Sequence, residues 1–180
     1  MQARRESDRQ DRRLLARVAD GDQDALEAMY ERHGDSLYSH VHWILGNNHD
    51  TEDVMQSLFL KLATMGADLL GVRKPRNYMF QMAHRLSLGL LQERRRRSEE
   101  SADFSFFESN AEPPETRAEA ALAERAVAGL QPDQRGAIFL HLYQGFTFRE
   151  IGKITGVPTH TAASRYRVAL KNLRKALIPA

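Results

Sequence analysis

The chain has 180 residues, with 26 Lys or Arg against 24 Asp or Glu, and no cysteine. That length suffices for one or two small cores, and the lack of thiols excludes disulfides, cysteine zinc sites and thiolate chemistry. No apolar run is long enough to cross a bilayer, and the charged start MQARRESDRQDRR lacks the apolar stretch of a signal peptide. The sequence therefore reads as a cytoplasmic protein without membrane insertion.

The net charge of +2 hides a segregation along the chain. Residues 1–97 carry 16 basic and 14 acidic side chains, residues 98–124 one Arg against eight acids, and residues 125–180 nine basic against two acidic. Such partitioning predicts two globular parts joined by an acidic connector.

The first part, residues 1–97, reads as helical, because its apolar residues recur at steps of three and four and strand-like alternation is absent. Leu14, Leu15 and Val18 define a first helix, broken at Gly21-Asp22. A second carries Leu26, Met29, Tyr30, Leu37, Tyr38, Val41, Ile44 and Leu45, and stops at Gly46-Asn47-Asn48. A third starts near Asp50-Thr51 and runs through Val54, Met55, Leu58, Phe59 and Leu62. After a loop with Gly66 and Gly71, a fourth spans about Pro75 to Arg97. Its expected core face is Tyr78 or Met79, Met82, Leu86 and Leu90.

Residues 98–117 combine Ser, Glu and Pro-Pro with few aliphatic side chains, so burial cannot offset the entropy of ordering them. They read as a flexible linker, with Phe104, Phe106 and Phe107 as the exception. The third part, residues 118–180, opens with one helix carrying Leu122, Ala126, Val127 and Leu130. The next carries Ala137, Ile138, Leu140, Leu142 and Tyr143.

A helix-turn-helix closes the chain. Thr147 and Glu150 match a capping box, Ile151 and Ile154 face inward, and Gly152 leaves room for a close crossing. Gly156-Val157-Pro158 stops one helix and starts another. A short Gly-containing turn between two helices is the geometry of the DNA-binding motif. On the helix Thr159–Leu177, Ala162, Tyr166, Ala169, Leu170, Leu173 and Leu177 form an apolar stripe. The opposite face offers Thr159, His160, Thr161, Ser164 and Arg165 to base edges, and Arg167, Lys171, Arg174 and Lys175 to phosphates. The whole is an all-α fold of two helical domains, the second a four-helix module.

With both ends in view, the chain resembles the extracytoplasmic-function (ECF) sigma factors of the sigma-70 family, from about Arg13 to Leu177. ILGNNHDTEDVMQSLFLKLA is similar to the family helix that docks on core RNA polymerase, with Asp50, Glu52, Asp53, Gln56, Phe59 and Leu60 matching its pattern. PRNYMFQMAHRLSLGLLQERRRR resembles the helix that opens and reads the −10 element, with Tyr78 at the position of a usual Trp. The C-terminal module is similar to the one that reads the −35 element.

The resemblance implies core polymerase and promoter DNA as partners, with an anti-sigma factor as a further candidate. It puts polymerase docking on Asp53, Gln56, Ser57 and Leu60. It puts −10 contact on Arg73, Lys74, Arg76, Asn77, Tyr78, Phe80, Arg85 and Arg94, Arg95, Arg96 and Arg97. Cations beside aromatic rings suit unstacked bases, although core packing competes for Tyr78 and Phe80. On the Thr159–Leu177 helix it puts −35 contact on Thr159, His160, Thr161, Ser164, Arg165, Arg167 and Lys171.

No metal, cofactor or enzyme activity is expected. His40 and His42 project about 200° apart on a helix and cannot share one ion, and neither a phosphate loop nor a nucleophile elbow is present. The alternative reading is a free-standing helix-turn-helix regulator whose N-terminal domain binds a ligand or partner.

Overall fold

Helix boundaries fall where side chains supply the missing backbone partners. Asp22 accepts from the Ala25 N–H at 3.1 Å and Asn47 from the Asp50 N–H at 2.9 Å, while Gly46 and Gly156 stop their helices in the left-handed conformation. In the computed structural model, which describes residues 2–97 and 114–178, these signals delimit eight α-helices. They are α1 (Gln2–Ala19), α2 (Gln23–Leu45), α3 (Asn48–Thr64), α4 (Pro75–Arg96), α5 (Pro114–Ala128), α6 (Pro132–Ile138), α7 (Phe148–Thr155) and α8 (Thr159–Leu177). A 3-10 turn at Gly66–Gly71 precedes α4, and a π-helical turn at Phe139–Tyr143 continues α6. Among the described residues there is no strand.

Most of the stretch read as a linker, with Phe104, Phe106 and Phe107, lies outside the described residues. Helix α5 begins at Pro114, within that stretch, and a proline with its fixed φ is suited to a first helical position.

Helices α1 to α4 bury Leu15, Val18, Met29, Leu37, Val41, Ile44, Leu58 and Leu62. The same core continues into the C-terminal part through Phe139, Leu140, Phe146, Ile151, Ile154 and Ala162. The two parts therefore rest on each other, α4 against α7 and α2 against α6. This contact moves the buried face of α4 to Met79, Phe80, Ala83, His84 and Ser87. The expected Met82, Leu86 and Leu90 are only half-buried, because α4 is covered from two sides rather than one.

Leu142 and Tyr143 were expected inside and are 55% and 63% exposed. The π-turn adds a residue to the helical repeat, so positions in phase with Ile138 rotate outward. Leu170 and Leu177 also leave the α8 stripe, which buries Ala162 and Ala169 instead.

Candidate nucleic-acid and polymerase interfaces

The turn before α8 is built as the sequence requires. Thr147 accepts from the Glu150 N–H at 3.3 Å, and the Glu150 carboxylate accepts from the Thr147 N–H at 3.1 Å. The N–H groups of Gly156 and Val157 both return to the Gly152 carbonyl. A Cβ on Gly152 would stand 2.6 Å from the Val157 carbonyl oxygen, so only glycine fits this crossing.

Along α8, Thr159, His160, Ser164, Arg167 and Lys171 are exposed on one side and Thr161 is half-buried. Arg167 lies back along the helix, its Nε 3.3 Å from the Ala163 carbonyl. Arg165 departs from the expected DNA face, because its guanidinium reaches the Asp133 carboxylate of α6 at 2.8 Å. Its charge is spent inside the module.

The α4 end is more altered. Phe80 is fully buried, edge-on to Phe146 at 5.2 Å and to His40 at 5.4 Å, and so packs in the core of this closed arrangement. Its ring has no polar atom, and the packing of α7 on α4 supplies an apolar site for it. Tyr78 takes the other side of the helix, half-buried, with its hydroxyl donating to the Met65 sulfur at 3.4 Å. Burial, followed by the Asp68 charge, raises its phenol above the ordinary value. Arg94 is likewise drawn inward to Asp50, whose buried carboxylate needs a cation. Arg73, Arg85, Arg95, Arg96 and Arg97 remain exposed, Arg97 beside Glu93.

Two cations of the expected −10 set are paired with the C-terminal part, Arg76 half-buried and Lys74 still exposed. Arg76 lies over the Phe146 ring at 4.2 Å and donates to the Gln144 side chain at 2.7 Å. Lys74 meets Glu150 at 3.3 Å, and Gln81 donates to the Lys153 carbonyl at 2.8 Å. Beside them Arg73, Lys74, Asn77, Tyr78 and Lys153 line a cavity of about 670 Å³. Gln144, Phe146 and Glu150 were not legible as partners of α4, since no periodicity links residues some 70 positions apart.

On α3, Asp53, Gln56, Ser57 and Leu60 form one exposed strip, with Leu60 63% accessible. Val54, Met55, Leu58 and Leu62 anchor the opposite side. His49 stands with Asp50 and Asp53, their donor atoms all within 4.8 Å. Asp50 already receives Arg94 and the Asn47 amide, so its charge is met by protein.

These features define an all-α protein with an exposed helical strip on α3, a cation-rich α4 and a C-terminal helix-turn-helix. Residues 29–97 match the family model of sigma-70 region 2, and residues 120–173 that of sigma-70 region 4. The chain belongs to the sigma-70 family, in its ECF group, and directs core RNA polymerase to promoter DNA for transcription initiation.

It is 26% identical to the ECF RNA polymerase sigma factor SigW of Bacillus subtilis (strain 168), over 92% of this chain and 96% of that one. It is 26% identical to the RNA polymerase sigma factor CarQ of Myxococcus xanthus, over 91% and 95%. The fold is shared with CnrH, solved in complex with the cytosolic domain of CnrY (TM-score 0.70, 21% identity, 93% of this chain and 97% of that chain). It is also shared with the sigma factor RpoE, solved with the anti-sigma factor NepR from Bartonella quintana (TM-score 0.65, 22% identity, 84% and 95%).

Proposed function

We propose that residues 1–97 dock on core polymerase and engage the −10 element, that residues 118–180 read the −35 element, and that residues 98–117 connect them. The observation that carries this reading is the exposed α3 strip Asp53, Gln56, Ser57 and Leu60, which no other part of the described chain covers. An accessible leucine ringed by polar groups has the apolar centre and polar rim of an interface patch. For −35 contact, Thr159, His160, Thr161, Ser164, Arg167 and Lys171 keep their assignment, while Arg165 acts by bracing α8 on α6 through Asp133.

For the −10 element, the cavity beside Arg73, Asn77 and Tyr78 has room for an unstacked base next to cations. Arg85, Arg95, Arg96 and Arg97 would hold phosphates, with strong salt dependence. Lys74 and Arg76 must first leave Glu150 and Gln144, so the closed arrangement is the form that precedes promoter engagement.

In this reading catalysis stays with the polymerase and the protein works in the cytoplasm, in a stress or envelope-signal response. No described helix is long and apolar enough to cross a membrane. The two structural neighbours were solved with CnrY and NepR respectively, which supports an anti-sigma partner for this chain too. Adding the purified chain to core polymerase is expected to give specific transcripts from its promoters. A chain that never binds core enzyme, yet footprints a palindrome alone as a dimer, would instead be a free-standing regulator.

A further inference from the structure

Where the two bodies meet, α2 and α4 present two histidines to α6. His40 and His84 are fully buried, and their rings are stacked with centroids 5.7 Å apart and planes 25° from parallel. Phe80 and Phe139 pack on His40 at 5.4 and 5.6 Å. Gly136 of α6 closes over the pair, so near that an added Cβ would lie 3.2 Å from His84 Cε1 and 3.6 Å from His40 Cε1.

None of the four ring nitrogens has a hydrogen-bond partner within 3.5 Å, the nearest acceptor being Asp133 Oδ1 at 3.7 Å from His84 Nε2. The other histidines differ. His33 meets the Asp11 carboxylate, His42 the Thr51 hydroxyl and His141 the Phe146 carbonyl, while His49 and His160 are exposed. A neutral imidazole offers one donor and one acceptor, so leaving both unmet on two stacked rings is costly. The two rings stack within the N-terminal body, where α2 packs on α4, and what closes over them from across the seam is Gly136 and Phe139 of the C-terminal part.

We infer that this seam is a proton-sensitive latch, in which acidification charges His40 in the buried histidine pair and parts the two bodies, releasing Arg76 and Lys74 from Gln144 and Glu150.

The direction follows from what each state can accommodate. Burial, and then the neighbouring His84, holds the His40 imidazole well below its ordinary range while the seam is closed. In the open form the His40 ring reaches water, where an imidazole has its ordinary value of about 6.5. The open form thus binds more protons below that value. Closure is full above it and is lost as pH falls, by up to about tenfold in the opening constant per pH unit for each proton taken up.

Other charged groups facing the seam do not reverse this. From α6, Asp133 lies 3.7 Å from His84 Nε2 and holds Arg165 of α8, and its carboxyl is kept below the usual value by His84. It can partly balance a proton on His84, but His40 has no carboxylate beside it, and two stacked charged rings repel. Arg135, also of α6, donates to the Ile44 carbonyl at 2.6 Å and keeps its charge below about 10. From α7, Glu150 and Lys153 face Lys74 and Gln81 toward the helix start. Behind α2, Asp11 of α1 and Asp50 of α3 are taken by His33, Arg32 and Arg94. Between pH 8 and 5 His40 is therefore the seam's changing charge. The consequence for DNA rests on assigning Arg76 and Lys74 to promoter contact; the latch itself does not.

The test uses the free full-length chain without polymerase or DNA, so it is independent of the promoter assignments. Because the chain has no cysteine, Lys61→Cys on α3 and Lys175→Cys on α8 accept a donor and acceptor dye cleanly. Energy transfer should be high at pH 8 and fall reversibly, with a midpoint between roughly 5 and 6.5, while the far-ultraviolet helix signal stays constant. In His40→Phe, whose apolar ring suits Phe80 and Phe139, transfer should stay high down to pH 5. Should that variant lack the wild-type helix signal at pH 8, His40→Leu serves the same comparison. A flat wild-type profile, or an unchanged transition in the folded His40 variant, overturns the latch.

Discussion

At the scale of single residues, Gly152 and Asp11 each hold two helices of one body together. Gly152 carries the crossing of α7 and α8, where the obstacle to a side chain is the Val157 carbonyl, a backbone atom without a rotamer to yield. Gly152→Ala should destabilise the C-terminal body by about 2 kcal/mol or more, seen as a lower denaturant midpoint and weaker −35 binding. The glycine's role was legible in the sequence, because two isoleucines and a capping box already implied a tight crossing. Asp11 was not legible. It is fully buried and accepts from Arg32 at 2.9 Å and His33 at 3.0 Å, pinning α1 to α2. Burial raises its carboxyl, but His33 and then Arg32 more than reverse this, so it lies below 3.8. Its contribution is present above that value and lost as pH falls through the lowered one. Asp11→Ala, which leaves the buried His33 ring and Arg32 without their acceptor, should cost about 2 kcal/mol at pH 7 and less at pH 3. Urea midpoints at the two pH values would check it, and equal losses at both would refute the assignment.

At the scale of elements, the exposed side of α3 and the buried side of α4 show what periodicity can and cannot tell. The spacing of Val54, Met55, Leu58 and Leu62 placed the α3 core face, and so left Asp53, Gln56, Ser57 and Leu60 outward, as found. Leu60→Glu should therefore leave thermal stability unchanged while weakening core polymerase binding by roughly 10- to 100-fold. Titrating labelled variant against core enzyme measures it, and wild-type affinity would move the docking face elsewhere. For α4 the same reading expected Met82, Leu86 and Leu90 in the core and left Phe80 open. A periodic pattern reports that a face is apolar, not how many neighbours will cover the helix. The second neighbour, the C-terminal part, lies far along the chain, and its Phe146 made Phe80 a core residue. The π-turn had the same effect on Leu142 and Tyr143, since an inserted residue leaves no mark in the spacing before it.

At the scale of the whole molecule, the question is whether the closed arrangement excludes promoter engagement or merely coexists with it. Contacts between bodies of one chain are usually polar enough to part, and this seam mixes an apolar centre with half-exposed pairs such as Lys74 with Glu150. A reader whose cations are occupied binds with an affinity reduced by the fraction of open molecules, so preventing opening should abolish function without touching any DNA contact. Gln81 of α4 and Lys153 of α7 lie side by side at the rim, the glutamine amide 2.8 Å from the lysine carbonyl. With no native thiol to interfere, Gln81→Cys and Lys153→Cys joined by a short bismaleimide would fasten α4 to α7. The bridged protein should keep its helix content and its binding to core polymerase through α3. It should lose promoter-directed transcription at least about tenfold, whereas each single-cysteine variant treated with the same reagent stays active. Full transcription from the bridged protein would mean that Arg76 and Lys74 are not needed at the promoter, and that the −10 element is met by Arg73, Asn77, Tyr78 and the outer arginines alone.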